Sequence, residues 1–81
     1  MFFEIVLSEL PIDRDDVEEA LEEAFGVDGE ITGAGSMLGR ALCHLDLEVL
    51  PTLGREASLE RIQGVLAALG VEDCARINIS D

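Results

Sequence analysis

Gly29–Leu50, GEITGAGSMLGRALCHLDLEVL, decides how the rest of the chain is read. Its second half alternates without a break. Cys43, Leu45, Leu47 and Val49 fall on one side, and His44, Asp46 and Glu48 on the other, the period-2 pattern of a strand with one buried face. That strand is expected over Ala41–Leu50. The first half reads as another strand, roughly Glu30–Ala34, interrupted by Gly33, Gly35 and Gly39. Glycine inside a strand weakens it and marks a bulge or a close approach of backbones. The stretch is therefore a hairpin with a glycine-dense corner, with a helix-like and a strand-like segment on each side of it.

Working outward toward the N-terminus, Phe2–Ser8 reads as a strand. Phe3, Ile5 and Leu7 share one face, and Phe2, Glu4, Val6 and Ser8 the other. The second face is mixed enough to be partly covered, as by a second copy of the chain in a homodimer. Glu9–Ile12 connects to a helix with Asp13 at its N-cap, an Ile12/Val17 hydrophobic staple, and a stripe of Val17, Ala20, Leu21, Ala24 and Phe25. Gly26 is its natural stop.

Toward the C-terminus, Pro51–Ala57 reads as a turn-rich connection. A second helix is expected over Leu59–Leu69, with Ser58 as N-cap and Leu59, Ile62, Val65, Leu66 and Leu69 as its buried stripe. Gly64 would allow it to approach the sheet closely. The last strand is Ala75–Ser80, with Ile77 and Ile79 facing the core. The element order is β-α-β-β-α-β. Each β-α-β half is expected to set two parallel strands beside each other through a right-handed crossover. The result is a single α+β domain over residues 1–81, a four-stranded antiparallel sheet with two helices on one face.

Eighteen acidic residues against five arginines and no lysine give a net charge of −13. Such a chain repels the phosphate backbone, so nucleic acid is excluded as a partner, and an anionic membrane surface is disfavoured for the same reason. A basic protein partner, or high solubility alone, fits the charge. No segment reads as a signal peptide, and no run approaches the ~18 apolar residues of a membrane span, so a cytoplasmic protein is expected. Cys43 and Cys74 form no CxxC and are expected as free thiols, Cys43 as a small core residue.

The acids concentrate on the first helix. Asp15, Glu18, Glu19, Glu22 and Glu23 form its outer face, and the 15/19, 18/22 and 19/23 pairs are like-charge neighbours one turn apart, each costing roughly 0.2–0.5 kcal/mol. No cation within the helix offsets them along its length. This face reads either as solvated surface or as a docking surface for a basic partner, whose binding would relieve the repulsion.

Other constellations are weaker. Gly33-Ala-Gly35-Ser-Met-Leu-Gly39 is not a phosphate loop, because a strand and not a helix follows it; a bulged, mobile corner is expected. His44, Asp46 and Glu48 share a strand face, but a spacing of two separates such side chains by about 6.5–7 Å, wide for ligands of one ion. Contacts to Arg76 or Glu4 across the sheet are expected there instead, and no metal or other cofactor is implied. Ser8, Ser36, Ser58 and Ser80 lie in no nucleophile elbow. No catalytic constellation is visible, and a non-enzymatic protein is expected.

The whole chain resembles the ferredoxin-like superfold, which hosts unrelated functions. Its metal-transfer members carry CxxC after the first strand, where this chain has Ser8-Glu9-Leu10-Pro11. Its RNA-binding members carry basic and aromatic residues where this chain has His44, Asp46 and Glu48. The motif of the acylphosphatases around their loop arginine is missing near Arg14. Amino-acid-binding ACT domains share the topology but place a glycine at the first β–α turn, here Glu9-Leu10-Pro11-Ile12. The ITGAGSMLG and LDLEVL stretches also look like those of small acidic bacterial proteins of unassigned role, some of which act as immunity- or antitoxin-like partners. The expected function is therefore a small interaction module that binds a basic partner through the helix acids and His44, Asp46 and Glu48. The alternative is an ACT-like small-ligand regulatory domain.

Overall fold

The computed structural model describes residues 1–36 and 42–80. Gly39 of the glycine corner and Ala41, expected as the start of the third strand, lie outside them. The elements are β1 (Phe2–Ser8), α1 (Arg14–Phe25), β2 (Gly29–Ser36), β3 (Leu42–Val49), α2 (Arg55–Ala68) and β4 (Ala75–Ser80). Short 3-10 turns at Gly26–Asp28 and Glu72–Cys74 lead into β2 and β4. The strands form one sheet in the order β2-β3-β1-β4, and every neighbouring pair is antiparallel. This is the ferredoxin-like α+β fold that the element order implies. No helix among the described residues is long and apolar enough to cross a membrane.

The strand neighbourhood corrects one expectation. The parallel strands of each β-α-β half do not lie side by side: β3 separates β1 from β2, and β1 separates β3 from β4. Each crossover skips one place, and a strand of the other half fills it. This interleaving makes every ladder antiparallel and sets β1 and β3 at the centre of the sheet.

The core follows the alternation. Phe3, Ile5 and Leu7 of β1 and Leu45, Leu47 and Val49 of β3 point to one face. They meet Val17, Leu21 and Phe25 of α1, Ile62 and Leu66 of α2, and Val71; all are at most 2% exposed. Each such side chain contributes roughly 1.5–3 kcal/mol on burial. Ile77 packs at the edge of this cluster. Ile79, also expected inside, is 38% exposed, because the space between α2 and edge strand β4 stays open beside it.

The first helix keeps its expected bounds. Asp13 holds the N-cap position in extended conformation, but its backbone carbonyl, not its side chain, accepts the Asp16 N–H at 3.1 Å. Gly26 ends the helix at φ +55°, with its N–H on the Glu22 carbonyl. The second helix begins a turn earlier than expected. Gly54, at φ +88°, is its N-cap, and Ser58 lies inside the helix, fully buried, with Oγ donating to the Gly54 carbonyl at 2.6 Å. A serine bonding back one turn satisfies its hydroxyl as well as a cap would, so sequence alone does not separate the two roles. Gly64 does not approach the sheet: it is exposed, and a Cβ there would meet nothing within 4 Å.

Candidate functional site

The expected site residues fall on two opposite surfaces. Val17, Leu21 and Phe25 dock α1 on the core face of the sheet, so the α1 acids point away from it into solvent. His44, Asp46 and Glu48 alternate with the buried residues of β3 and therefore stand on the other face, which no helix among the described residues covers. The structure does not bring the two groups together.

On α1, Asp15, Glu19, Glu22 and Glu23 are exposed, whereas Glu18 is half-buried at the flank of the stripe. Asp16 is exposed on the same outer face, where the 3.6-residue period places it. Arg14, the first residue of the helix, lies 3.8 Å from the Asp15 carboxylate. At the other end, α2 supplies the cation that α1 lacks. Arg61 Nη1 donates to the Ala24 carbonyl at 3.4 Å and to Asp28 Oδ2 at 3.2 Å, and its guanidinium stacks 5.1 Å over the Phe25 ring. A cation at a helix C-terminus opposes the negative end of the dipole. No pattern local to α1 could have shown this contact, which joins residues 37 apart in sequence.

The uncovered sheet face is built from the strand register. Glu4 of β1 lies opposite Asp46 of β3 on one side and Asn78 of β4 on the other, while Val6 lies between His44 and Arg76. Asn78 Nδ2 donates to Glu4 Oε1 at 3.1 Å. His44 Nδ1 lies 3.5 Å from Asp46 Oδ1. The wide spacing along a strand is thus closed by the side chains leaning toward each other. Glu48 lies farther along, opposite exposed Glu30 of β2.

The glycines of β2 belong to this face. The β2–β3 register shifts between Ile31 and Gly33, so Thr32 is an extra residue and a β-bulge. Beyond it the odd-numbered residues, not the even, face the open side. Gly33 then pairs with Asp46 and Gly35 with His44. A Cβ at Gly33 would lie 2.8 Å from Asp46 Oδ2, and one at Gly35 2.8 Å from His44 Nε2. The bare backbone of β2 is what leaves room for the imidazole and the carboxylate. A bulge is present, at Thr32 just ahead of the glycine corner, and its consequence, a change of face, could not be read from glycine positions alone; Met37, Leu38 and Gly39 of the corner expected to be bulged and mobile lie outside the described residues.

Cys43 and Cys74 are free. Burial pushes the Cys43 thiol up from its ordinary 9.0, with Arg14 pulling partly the other way. The first β–α turn holds Glu9 at φ +51°, a left-handed conformation that favours glycine. It borders an open depression that Ser8, Cys74 and Arg76 also line.

No protein-family model matches this chain, and no curated protein matches it significantly.

Proposed function

We propose that this protein is a small, non-enzymatic, cytoplasmic interaction module that binds a basic protein partner through the outer face of α1, in the manner of immunity or antitoxin proteins. One observation carries the reading: Asp15, Asp16, Glu19, Glu22 and Glu23 are presented together on one exposed helix face, and Arg14 is the helix's only cation. A row of arginines or lysines on a partner would replace the repulsion along this face with attraction. Complementarity of this kind raises the association rate more than the final affinity and makes binding salt-dependent. The test is capture from native lysate at low salt, followed by measurement of the purified partner's affinity at low and high salt. The reading requires an affinity that falls steeply with salt and falls again on charge reversal of Glu19 and Glu23. A partner indifferent to both would remove it.

A second reading, an ACT-like ligand-binding domain acting as a homodimer, draws support from Glu9. The first β–α turn takes the left-handed backbone that a glycine would adopt there, although the residue is glutamate. Thermal-shift measurements across amino acids and nucleotides would separate the two: stabilisation by one of them favours this reading, and no shift with any favours the first.

A further inference from the structure

The uncovered face of the sheet holds a cluster that the interaction reading does not use. Glu4, His44 and Asp46 each offer a ligand atom, and these atoms lie within 4.8 Å of one another. We propose that the three side chains bind a divalent first-row transition ion of the Zn²⁺ or Mn²⁺ kind.

Four observations converge on it. The first is reach. Tetrahedral ligands bound at about 2.1 Å lie about 3.4 Å apart, so the set closes on an ion with a movement of up to about 1.4 Å, within the freedom of the exposed Glu4 side chain. The second is electrostatic. The β1–β3 register sets Glu4 directly opposite Asp46 on one face. Like charges in that arrangement repel, and a cation between them reverses the sign. The third is His44. Its Nδ1 is shielded from solvent and has no hydrogen-bond partner among the described residues, although Asp46 Oδ1 is 3.5 Å away. A shielded ring nitrogen beside two carboxylates, without a hydrogen bond, is a donor placed to take an ion. The fourth is the surrounding shell. Asn78 holds Glu4 Oε1 and leaves Oε2 to coordinate, and the bulge places Gly33 and Gly35 where any side chain would push Asp46 and His44 off the site.

The donor set selects the ion. One imidazole nitrogen with two carboxylate oxygens suits zinc, manganese or ferrous iron, whereas magnesium and calcium take all-oxygen shells. Three protein ligands leave positions for water or for a group on a partner molecule.

His44 is the only histidine in the chain, so its ring resonances report the site without ambiguity. The full-length protein is titrated with Zn²⁺ and with Mn²⁺, followed by NMR for zinc and by calorimetry for both, with Mg²⁺ and Ca²⁺ as comparators. The proposal requires saturable zinc binding with the His44 ring resonances shifting in step. Asp46→Asn, Glu4→Gln and Gly35→Ala should each weaken binding by at least about tenfold with the circular dichroism spectrum unchanged. Glu4 is exposed, so its variant keeps the test decisive if an Asp46 or Gly35 variant fails to fold. A Cys43→Ala/Cys74→Ser protein should bind as the wild type does, and that result excludes capture by thiolates. The proposal is overturned if the ring resonances stay fixed up to roughly millimolar zinc, if binding survives Glu4→Gln and His44→Gln undiminished, or if magnesium binds as tightly as zinc.

Discussion

Replacing Glu19 with lysine should make the protein more stable, by an amount that can be worked out from α1. Glu19 is exposed and is the shared member of two like-charge pairs one turn apart, with Asp15 and with Glu23. Each such pair costs roughly 0.2–0.5 kcal/mol, and each opposite-charge pair returns a similar amount. Changing the sign of one residue therefore acts four times, for a total of roughly 0.8–2 kcal/mol at low salt. The new pair with Asp15 sets the acid N-terminal to the cation, the favourable orientation, and the new pair with Glu23 has the weaker, reversed one. The lower half of that range, about 1 kcal/mol, is therefore expected. For a domain of this size it raises Tm by about 4–8 °C. Urea unfolding of both proteins at low salt and near 1 M salt, where charges interact only within ~3 Å, gives the measurement. The gap between the proteins should shrink with salt. A variant no more stable than the wild type at low salt, or a gain that persists unchanged at high salt, would refute the view of α1 as a repulsive face awaiting a cationic partner.

Four further outcomes follow from the packing. Gly64→Ala should stabilise by about 1 kcal/mol in urea unfolding, because the position is in a helix interior and the added methyl meets nothing. Gly29→Ala should destabilise by about 1–2 kcal/mol in the same assay, since its Cβ would sit 3.1 Å from the Glu48 carbonyl and 3.2 Å from the buried Phe25 ring, neither free to move. Arg61→Ala should cost about 1–2 kcal/mol through loss of the Phe25 stacking and of the donors to Ala24 and Asp28, discounted because the side chain is one-third exposed. The raised Cys43 thiol is more readily ionised in the unfolded chain, so its stabilising contribution is complete below the ordinary 9.0 and declines as pH rises above it. Wild type should accordingly lose stability relative to Cys43→Ala as pH rises through and above the ordinary 9.0, and the native thiol should alkylate more slowly than the unfolded one.

The strands and first helix were legible because their burial is periodic. Phe3-Ile5-Leu7 and Leu45-Leu47-Val49 each name a face within one segment, and Val17-Leu21-Phe25 names a stripe. What escaped depends on relations between segments. Ser58 has the chemistry of a cap, and only the conformation of Gly54, four residues earlier, shows that the helix has already begun. Arg61 serves the end of a helix that its own neighbours do not identify. The open-face site is the clearest case. His44 and Asp46 share a face by their spacing in β3, but Glu4 joins them only through the β1–β3 register, and Gly33 and Gly35 face them only because a bulge at Thr32 shifts β2 by one residue. The two acidic surfaces were combined in sequence because both carry carboxylates. Their separation follows from which faces of α1 and β3 are buried against the same core.

The central claim, that α1 is the face a basic partner recognises, is tested most directly by amide chemical-shift mapping on titration with the captured partner or, before it is known, with an arginine-rich peptide. The account predicts that the largest shifts fall on Asp15, Asp16, Glu19, Glu22 and Glu23, that they vanish at high salt, and that Glu19→Lys abolishes them. Shifts spread evenly over all the carboxylates, or centred on the uncovered sheet face and unaffected by Glu19→Lys, would contradict it.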